Sequence, residues 1–217
     1  MKLKFSRSRP KALTLIEVIV IIAILAILFP LFIPHHGGRR SALAKRIACT
    51  NNLKQVGLSF GMFDTDHSDA FSMIVSTNKG GPKEFTEAAE LFRHFQSMSN
   101  ELSTPKVLVC PADTRKPAAS FTNLSNLNIS YFVGMDSRES FPQMLLAGDR
   151  NLTLNGVQVP PGLLVLTTNS VLGWSTTMHN GSGNTTLGDG SVQPFTSARL
   201  QQQVSVMDVA TNRLLIP

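Results

Sequence analysis

One apolar stretch constrains this chain more than any other feature. Residues 13–34 read LTLIEVIVIIAILAILFPLFIP, with Glu17 as their single charge. As a helix rising ~1.5 Å per residue, the part before Pro34 would cross most of a ~30 Å hydrocarbon core. A cleavable secretory signal should have an apolar region of about 7–15 residues and end in small residues at a cut site. This run ends in Phe32-Ile33-Pro34-His35-His36 and offers no such site. The expectation is a retained single-pass transmembrane helix over 13–34, behind a basic leader over 1–12. Glu17 has two readings: a helix start near the interface, where the dipole favours an anion, or a buried carboxylate needing a partner.

Charge placement narrows the function class. The net charge is +6, yet Lys2, Lys4, Arg7, Arg9 and Lys11 lie in the leader, and Arg39, Arg40, Lys45, Arg46 and Lys54 form a collar beyond the apolar run. From residue 55 onward acids outnumber bases, which leaves no basic face for nucleic acid. With 42% hydrophobic and 16% charged residues, the chain suits a packed core rather than disorder.

After a Gly37-Gly38 joint, residues 35–64 read as an amphipathic stem helix. Cys49, Leu53, Val56, Phe60 and Phe63 recur at alternating spacings of four and three, which keeps them on one stripe facing a globular body. The adjacent His35 and His36 do not share a helix face and read as solvated joint residues. Asp64, Asp66 and Asp69 lie in a polar run suited to a turn; calcium is conceivable there, but the ligand spacing of a calcium loop is absent.

Residues 65–217 read as an α+β body. Phe85, Ala88, Phe92, Phe95, Met98 and Leu102 predict a helix over 84–102. Short apolar runs over 129–134, 144–148, 163–168, 174–178, 185–187 and 192–195 predict strands, and 152–159 alternates around Asn155-Gly156, a hairpin signal. A closing helix is expected over 197–209 and a last strand over 214–216.

Three motifs carry a resemblance. Lys11-Ala12-Leu13-Thr14-Leu15-Ile16-Glu17-Val18 resembles the processing site of type IV pilins and type II secretion pseudopilins. Cys49-Thr50-Asn51-Asn52-Leu53-Lys54-Gln55 and His179, nine residues, then Asp189-Gly190 resemble motifs of a group of bacterial pilin-like proteins. The resemblance covers roughly 11–60 and 174–196. It implies a long N-terminal helix, membrane-spanning in its first half and amphipathic in its second, packed on a small antiparallel-sheet pilin-like domain. It also implies cleavage between Ala12 and Leu13 by a prepilin peptidase, N-methylation of Leu13, Glu17 as the fifth mature residue setting assembly register, and Pro34 as a helix-bending proline. The family usually has Gly and Phe where this chain has Ala12 and Leu13.

The implied protein is a non-enzymatic structural subunit, inserted in membrane lipid before assembly, with a cytoplasmic leader and a periplasmic body. Its partners would be the peptidase, other pilin-like subunits and an inner-membrane secretion platform, in a fibre built by heterologous, non-closing association. That topology puts Cys49 and Cys110 in an oxidising space, where a disulfide would close a loop of about 60 residues, worth roughly 4 kcal/mol in the chain-entropy model. Two free buried thiols are the alternative, and two cysteines alone are too few ligands for zinc. His179 and Asp189 could be half of a hydrolase triad, but no nucleophile signature accompanies them, and the preferred reading is a His–Asp contact fixing a turn. No cofactor is expected. The rivals are a membrane-anchored outer-face enzyme or binding module, and a low-copy tip subunit or adhesin.

Overall fold

The computed structural model describes residues 14–32, 38–68 and 70–217. The leader, Ala12, Leu13, Pro34, the two histidines after it and Asp69 lie outside the described residues, and so do the expectations resting on them. The chain divides into two compact units, Met1–Arg40 and Ser41–Pro217.

In the first unit, helix α1 spans Leu15–Phe32, 18 residues. Its start is set by a reciprocal cap. The Thr14 N–H donates to Glu17 Oε2 at 2.8 Å, and the Glu17 N–H donates to Thr14 Oγ1 at 3.4 Å. The two residues thereby satisfy backbone donors that a helix N-terminus leaves orphaned. The described helix therefore begins after Thr14, and at ~1.5 Å per residue its 18 residues rise about 27 Å.

Among the described residues, no helix is long and apolar enough to cross a membrane. Helix α2, Gly38–Asp66, is longer at 29 residues but carries lysines, arginines and aspartates along its length. This overturns the long N-terminal helix with a membrane-spanning first half. The single-pass inner-membrane placement with a cytoplasmic leader and periplasmic body falls with it. The α+β class stands, since the second unit combines helices with an antiparallel sheet.

In the second unit, α2 buries Cys49, Leu53, Val56, Phe60 and Phe63. Asp64 and Asp66 belong to the helix's last turn rather than to a loop. Gly57 lets the helix lie close on the sheet: a Cβ there would sit 2.8 Å from Thr186 Cγ2 and 3.2 Å from the Gly190 carbonyl oxygen.

The strands are β1 (Tyr131–Gly134), β2 (Leu145–Asp149), β3 (Leu152–Leu154), β4 (Val157–Gln158), β5 (Gly162–Thr167), β6 (Leu172–Trp174), β7 (Ser182–Leu187), β8 (Val192–Thr196) and β9 (Thr211–Ile216). Six form an antiparallel sheet in the order β5-β9-β1-β2-β7-β8, and three form a small sheet in the order β4-β3-β6. The last strand is longer than its apolar residues suggest and is central, lying between β5 and β1. Helix α5, Ser197–Ser205, starts where the Thr196 hydroxyl accepts the Arg199 N–H.

The large sheet separates two cores. Tyr131, Val133 and Leu215 pack with the α2 stripe, while Phe132, Leu214 and Ile216 pack with α5 and the small sheet. This is the period-two alternation of a sheet buried on both faces.

The helix expected over 84–102 is broken into a 3₁₀ turn at Ala88–Glu90 and two short helices, α3 (Phe92–Gln96) and α4 (Ser99–Leu102). The Asn126 side chain explains the first break. Its Oδ1 accepts the Phe92 N–H at 2.9 Å and its Nδ2 donates to the Ala88 carbonyl at 2.6 Å, so one amide takes both ends of a helical i→i−4 bond. Of the apolar positions, Phe95, Met98 and Leu102 are buried and Phe85, Ala88 and Phe92 half-buried, while Leu91, outside that pattern, is buried as well.

Candidate functional site

Four side chains from four parts of the second unit meet beneath α2. Cys49 comes from the buried stripe of α2. Cys110 follows the 3₁₀ turn Pro105–Leu108, on a segment docked to α2 by Asn52 Nδ2 donating to the Val109 carbonyl at 2.9 Å. Asp149 ends β2, opposite Tyr131 of β1. His179 lies in the turn before β7, where Asn180 and Gly181 both have left-handed φ and Ser182 Oγ donates to the His179 carbonyl at 2.6 Å.

A register shift aims Asp149 into this cluster. In β2, Leu145 faces Leu187 of β7 but Ala147 faces Thr186, so two steps on β2 match one on β7. Leu145 belongs to the core on the α5 side, whereas Leu146 and Ala147 both belong to the α2 side. Strict alternation would have pointed Asp149 the same way as Leu145; the bulge reverses it, as bulges commonly re-aim a side chain.

The cluster is tight and dry. Cys49 and Asp149 have no exposed surface, and the His179 side chain is 3% exposed. Cys49 Sγ donates to Asp149 Oδ1 at 3.1 Å, Cys110 Sγ lies 3.3 Å from His179 Nε2, and that nitrogen lies 3.4 Å from Asp149 Oδ2. Asp149 Oδ2 is further held by the Asn184 backbone N–H at 2.7 Å and its Nδ2 at 2.9 Å. The Tyr131 hydroxyl sits 3.5 Å from Cys49 Sγ.

Burial pushes the Cys49 thiol well above its ordinary pKa, and the Cys110 and Asp149 contacts add to that. Cys110 goes the other way, to about 6, through its interaction with Cys49 and then with His179, against its burial. Burial raises Asp149, against the pull of His179. Burial works to lower His179 but is outweighed by Cys110 and Asp149, which leave it raised. The cluster thus holds one thiolate-prone sulfur, one retained thiol and an imidazole–carboxylate contact.

Chemically this is a convergent set rather than a relay. In a nucleophile–base–orienter chain, the carboxylate holds one ring nitrogen while the nucleophile meets the other. Here Cys110 and Asp149 both approach the same His179 nitrogen. The four ligand atoms lie within 4.8 Å of one another, which is an arrangement able to hold a metal ion.

Several sequence expectations are rearranged here. Cys49 and Cys110 are brought together, but as free thiols rather than as the expected disulfide. The oxidising compartment that favoured a disulfide rested on the membrane topology already corrected. His179 meets Asp149, not Asp189. Asp189 is exposed in the turn between β7 and β8, where its Oδ1 accepts the Ser191 N–H at 2.9 Å, and Gly190 supplies a left-handed φ. All of β7 separates it from His179, so no His–Asp contact fixes that turn. Sequence reading missed Asp149 and Tyr131. The available signal was an acid closing the wholly apolar run at 144–148.

Apart from this cluster, α1 is the other notable surface. Leu15 is 81% exposed, Ile16 70%, Ile27 72% and Phe29 69%, and Glu17 is exposed in the first turn. No family model, no curated protein and no solved structure matches this chain.

Proposed function

We propose that the chain is a non-enzymatic, pilin-like structural subunit that assembles through α1 into a fibre. The observation that carries this reading is the exposure of α1 around its whole circumference. A helix apolar on all sides is stable only when covered on all sides. One partner helix covers a single face, so several neighbours are required. Repeated copies of the same helix supply them in a heterologous association that does not close. Glu17 then has a role that tolerates burial, because a carboxylate in a dry bundle is stabilised by an opposite charge such as a neighbour's N-terminal amine.

Processing follows the same reading. A prepilin peptidase removes residues 1–12, Leu13 is N-methylated, and the new amine lies four residues from Glu17. The buried Cys49–Asp149 region has no open face for a substrate, which fits a subunit without catalysis of its own.

The test is intact mass, N-terminal peptide mapping and electron microscopy of full-length protein made in its own host. The expected result is a chain starting at N-methyl-Leu13 that forms fibres, and an Ile21→Asp variant that is processed and folded but does not. A chain retaining Met1, or a processed chain that stays monomeric, overturns the proposal.

A further inference from the structure

We infer that Cys49, Cys110, Asp149 and His179 form a closed structural zinc site that fastens α2 to the sheet. The inference rests on the second unit alone and goes beyond fibre assembly, which depends on α1.

Geometry is the first support. With zinc–sulfur bonds near ~2.3 Å and zinc–nitrogen or zinc–oxygen bonds near ~2.0–2.2 Å, the edges of a tetrahedral site are about 3.3–3.8 Å. Cys110 Sγ lies 3.3 Å from His179 Nε2, one such edge, and the Asp149 carboxylate comes 3.1 Å from Cys49 Sγ through Oδ1 and 3.4 Å from His179 Nε2 through Oδ2. Taking one ligand atom from each residue, all four lie within 4.8 Å of one another. Two thiolates, an imidazole and a carboxylate are a donor set suited to zinc, and four protein ligands leave no position for substrate.

The surroundings are those of a supported site. Ligating carboxylates are usually held by hydrogen bonds from outside the ligand set. Asn184 does this for Asp149 twice, at 2.7 and 2.9 Å, and is itself fixed by Thr50 Oγ1 donating to its Oδ1 at 3.1 Å. The Ala112 N–H donates to Cys110 Sγ at 3.4 Å, as to a thiolate. Arg46, on α2 one turn before Cys49, hydrogen-bonds Ser182 Oγ and brings a positive charge towards a site whose three anionic ligands exceed the charge of the ion.

A disulfide accounts for less. It would use only the sulfurs and leave the imidazole and carboxylate buried without a task. It would also remove the S–H that Cys49 donates to Asp149 Oδ1. Zinc employs all four groups, displacing whatever protons the thiols and the imidazole hold in its absence. The ligands come from a helix, a loop, a strand end and a turn, so a single ion joins elements up to 130 residues apart in sequence, from Cys49 to His179.

The test uses full-length protein purified without chelator or histidine tag. Elemental analysis should give one zinc per chain, and cobalt substitution should give the visible bands of a tetrahedral ion with a thiolate-to-cobalt charge-transfer band. Cys110→Ser and His179→Gln should abolish stoichiometric binding, Asn184→Ala should weaken it about 10–100-fold, and His67→Gln, outside the cluster, should leave it unchanged. Should ligand variants fail to fold, the wild-type cobalt spectrum decides alone. Folded wild-type protein that binds no zinc at saturating metal, a cobalt spectrum without thiolate character, or an intact mass two hydrogens low from a disulfide overturns the site. Each of those results leaves the fibre test standing.

Discussion

Tyr131 and Phe132 are neighbours in β1, both without exposed surface, and they face opposite cores. Around Phe132 the contacts are apolar: Leu145, Leu152, Leu166, Leu200, Val204 and Leu214 share its core. On the Tyr131 side the apolar stripe of α2 is interrupted by Asp149, Asn184, Thr186 and Ser59, all buried. Non-directional burial holds the first face. The second relies on bonds whose partners must each be in place, because an unpaired buried polar group costs more than an average hydrogen bond contributes. The two faces should therefore fail differently when cut.

The largest contrast comes from this adjacent pair. Phe132→Ala should lose about 3–5 kcal/mol through the cavity it opens, while Phe132→Leu keeps most of the packing. Tyr131→Phe conserves volume and removes only the hydroxyl 3.5 Å from Cys49 Sγ, so its cost should be about 1 kcal/mol. Urea unfolding of the three variants measures this. If Tyr131→Phe proves as damaging as Phe132→Ala, the cluster would be more strongly coupled than its contacts imply. A Phe132→Ala cost near that of Tyr131→Phe would mean that the α5 side collapses around the missing ring.

A smaller effect isolates one charge on the polar side. Arg150 reaches Asp113 with two nitrogens, each at 2.8 Å, and Ser130 Oγ donates to the same carboxylate at 2.8 Å. The pair joins the segment carrying Cys110 to the end of β2 carrying Asp149. Burial opposes ionisation of Asp113 but is outweighed by Arg150 and Ser130, which hold its pKa at about 2. The folded value lies below the unfolded value of about 3.9, so the contribution is complete above pH ~4 and is lost as pH falls through ~2. Its size is on the order of 2 kcal/mol, since the Asp113 side chain is 1% exposed. Urea midpoints followed down from about pH 5 should fall more steeply for the wild type than for Asp113→Asn. Parallel curves would remove Asp113 from the account.

What could be read in advance follows the same division between the faces. The stripe from Cys49 to Phe63 was legible because helical period and burial coincide, and Asn155-Gly156 because a two-residue turn is local. Asp149 was hidden, since a bulge reverses the parity on which strand reading depends. The helix expected over 84–102 failed through Asn126, which lies beyond that window and intercepts the bond between Ala88 and Phe92. His179 was matched to the wrong acid because Asp189 is near in sequence, whereas its contact is with a strand end 30 residues earlier. Counting apolar residues also could not show that Thr14 and Glu17 cap each other at the start of α1. Local patterns were visible; directional, long-range partners were not.

The smallest effect should come from the rim of the apolar side. Asn155 and Gly156 join β3 to β4 with φ of 52° and 78°, the left-handed pair of a tight hairpin. A Cβ added at Gly156 would meet nothing within 4 Å, so Gly156→Ala acts through the backbone alone. Left-handed φ costs an alanine about 1–2 kcal/mol, and reduced freedom of the unfolded chain returns ~0.4–1 kcal/mol of that. The net loss should be about 1 kcal/mol or less. Val157 and Gln158 are exposed, so the hairpin can fray without opening the core below. Hydrogen exchange at β3 and β4 should quicken in Gly156→Ala while β1 and β9 stay protected. Equal loss of protection in β9 would show the small sheet and the large one unfolding as a single cooperative unit, with the apolar side reaching further than its buried residues suggest.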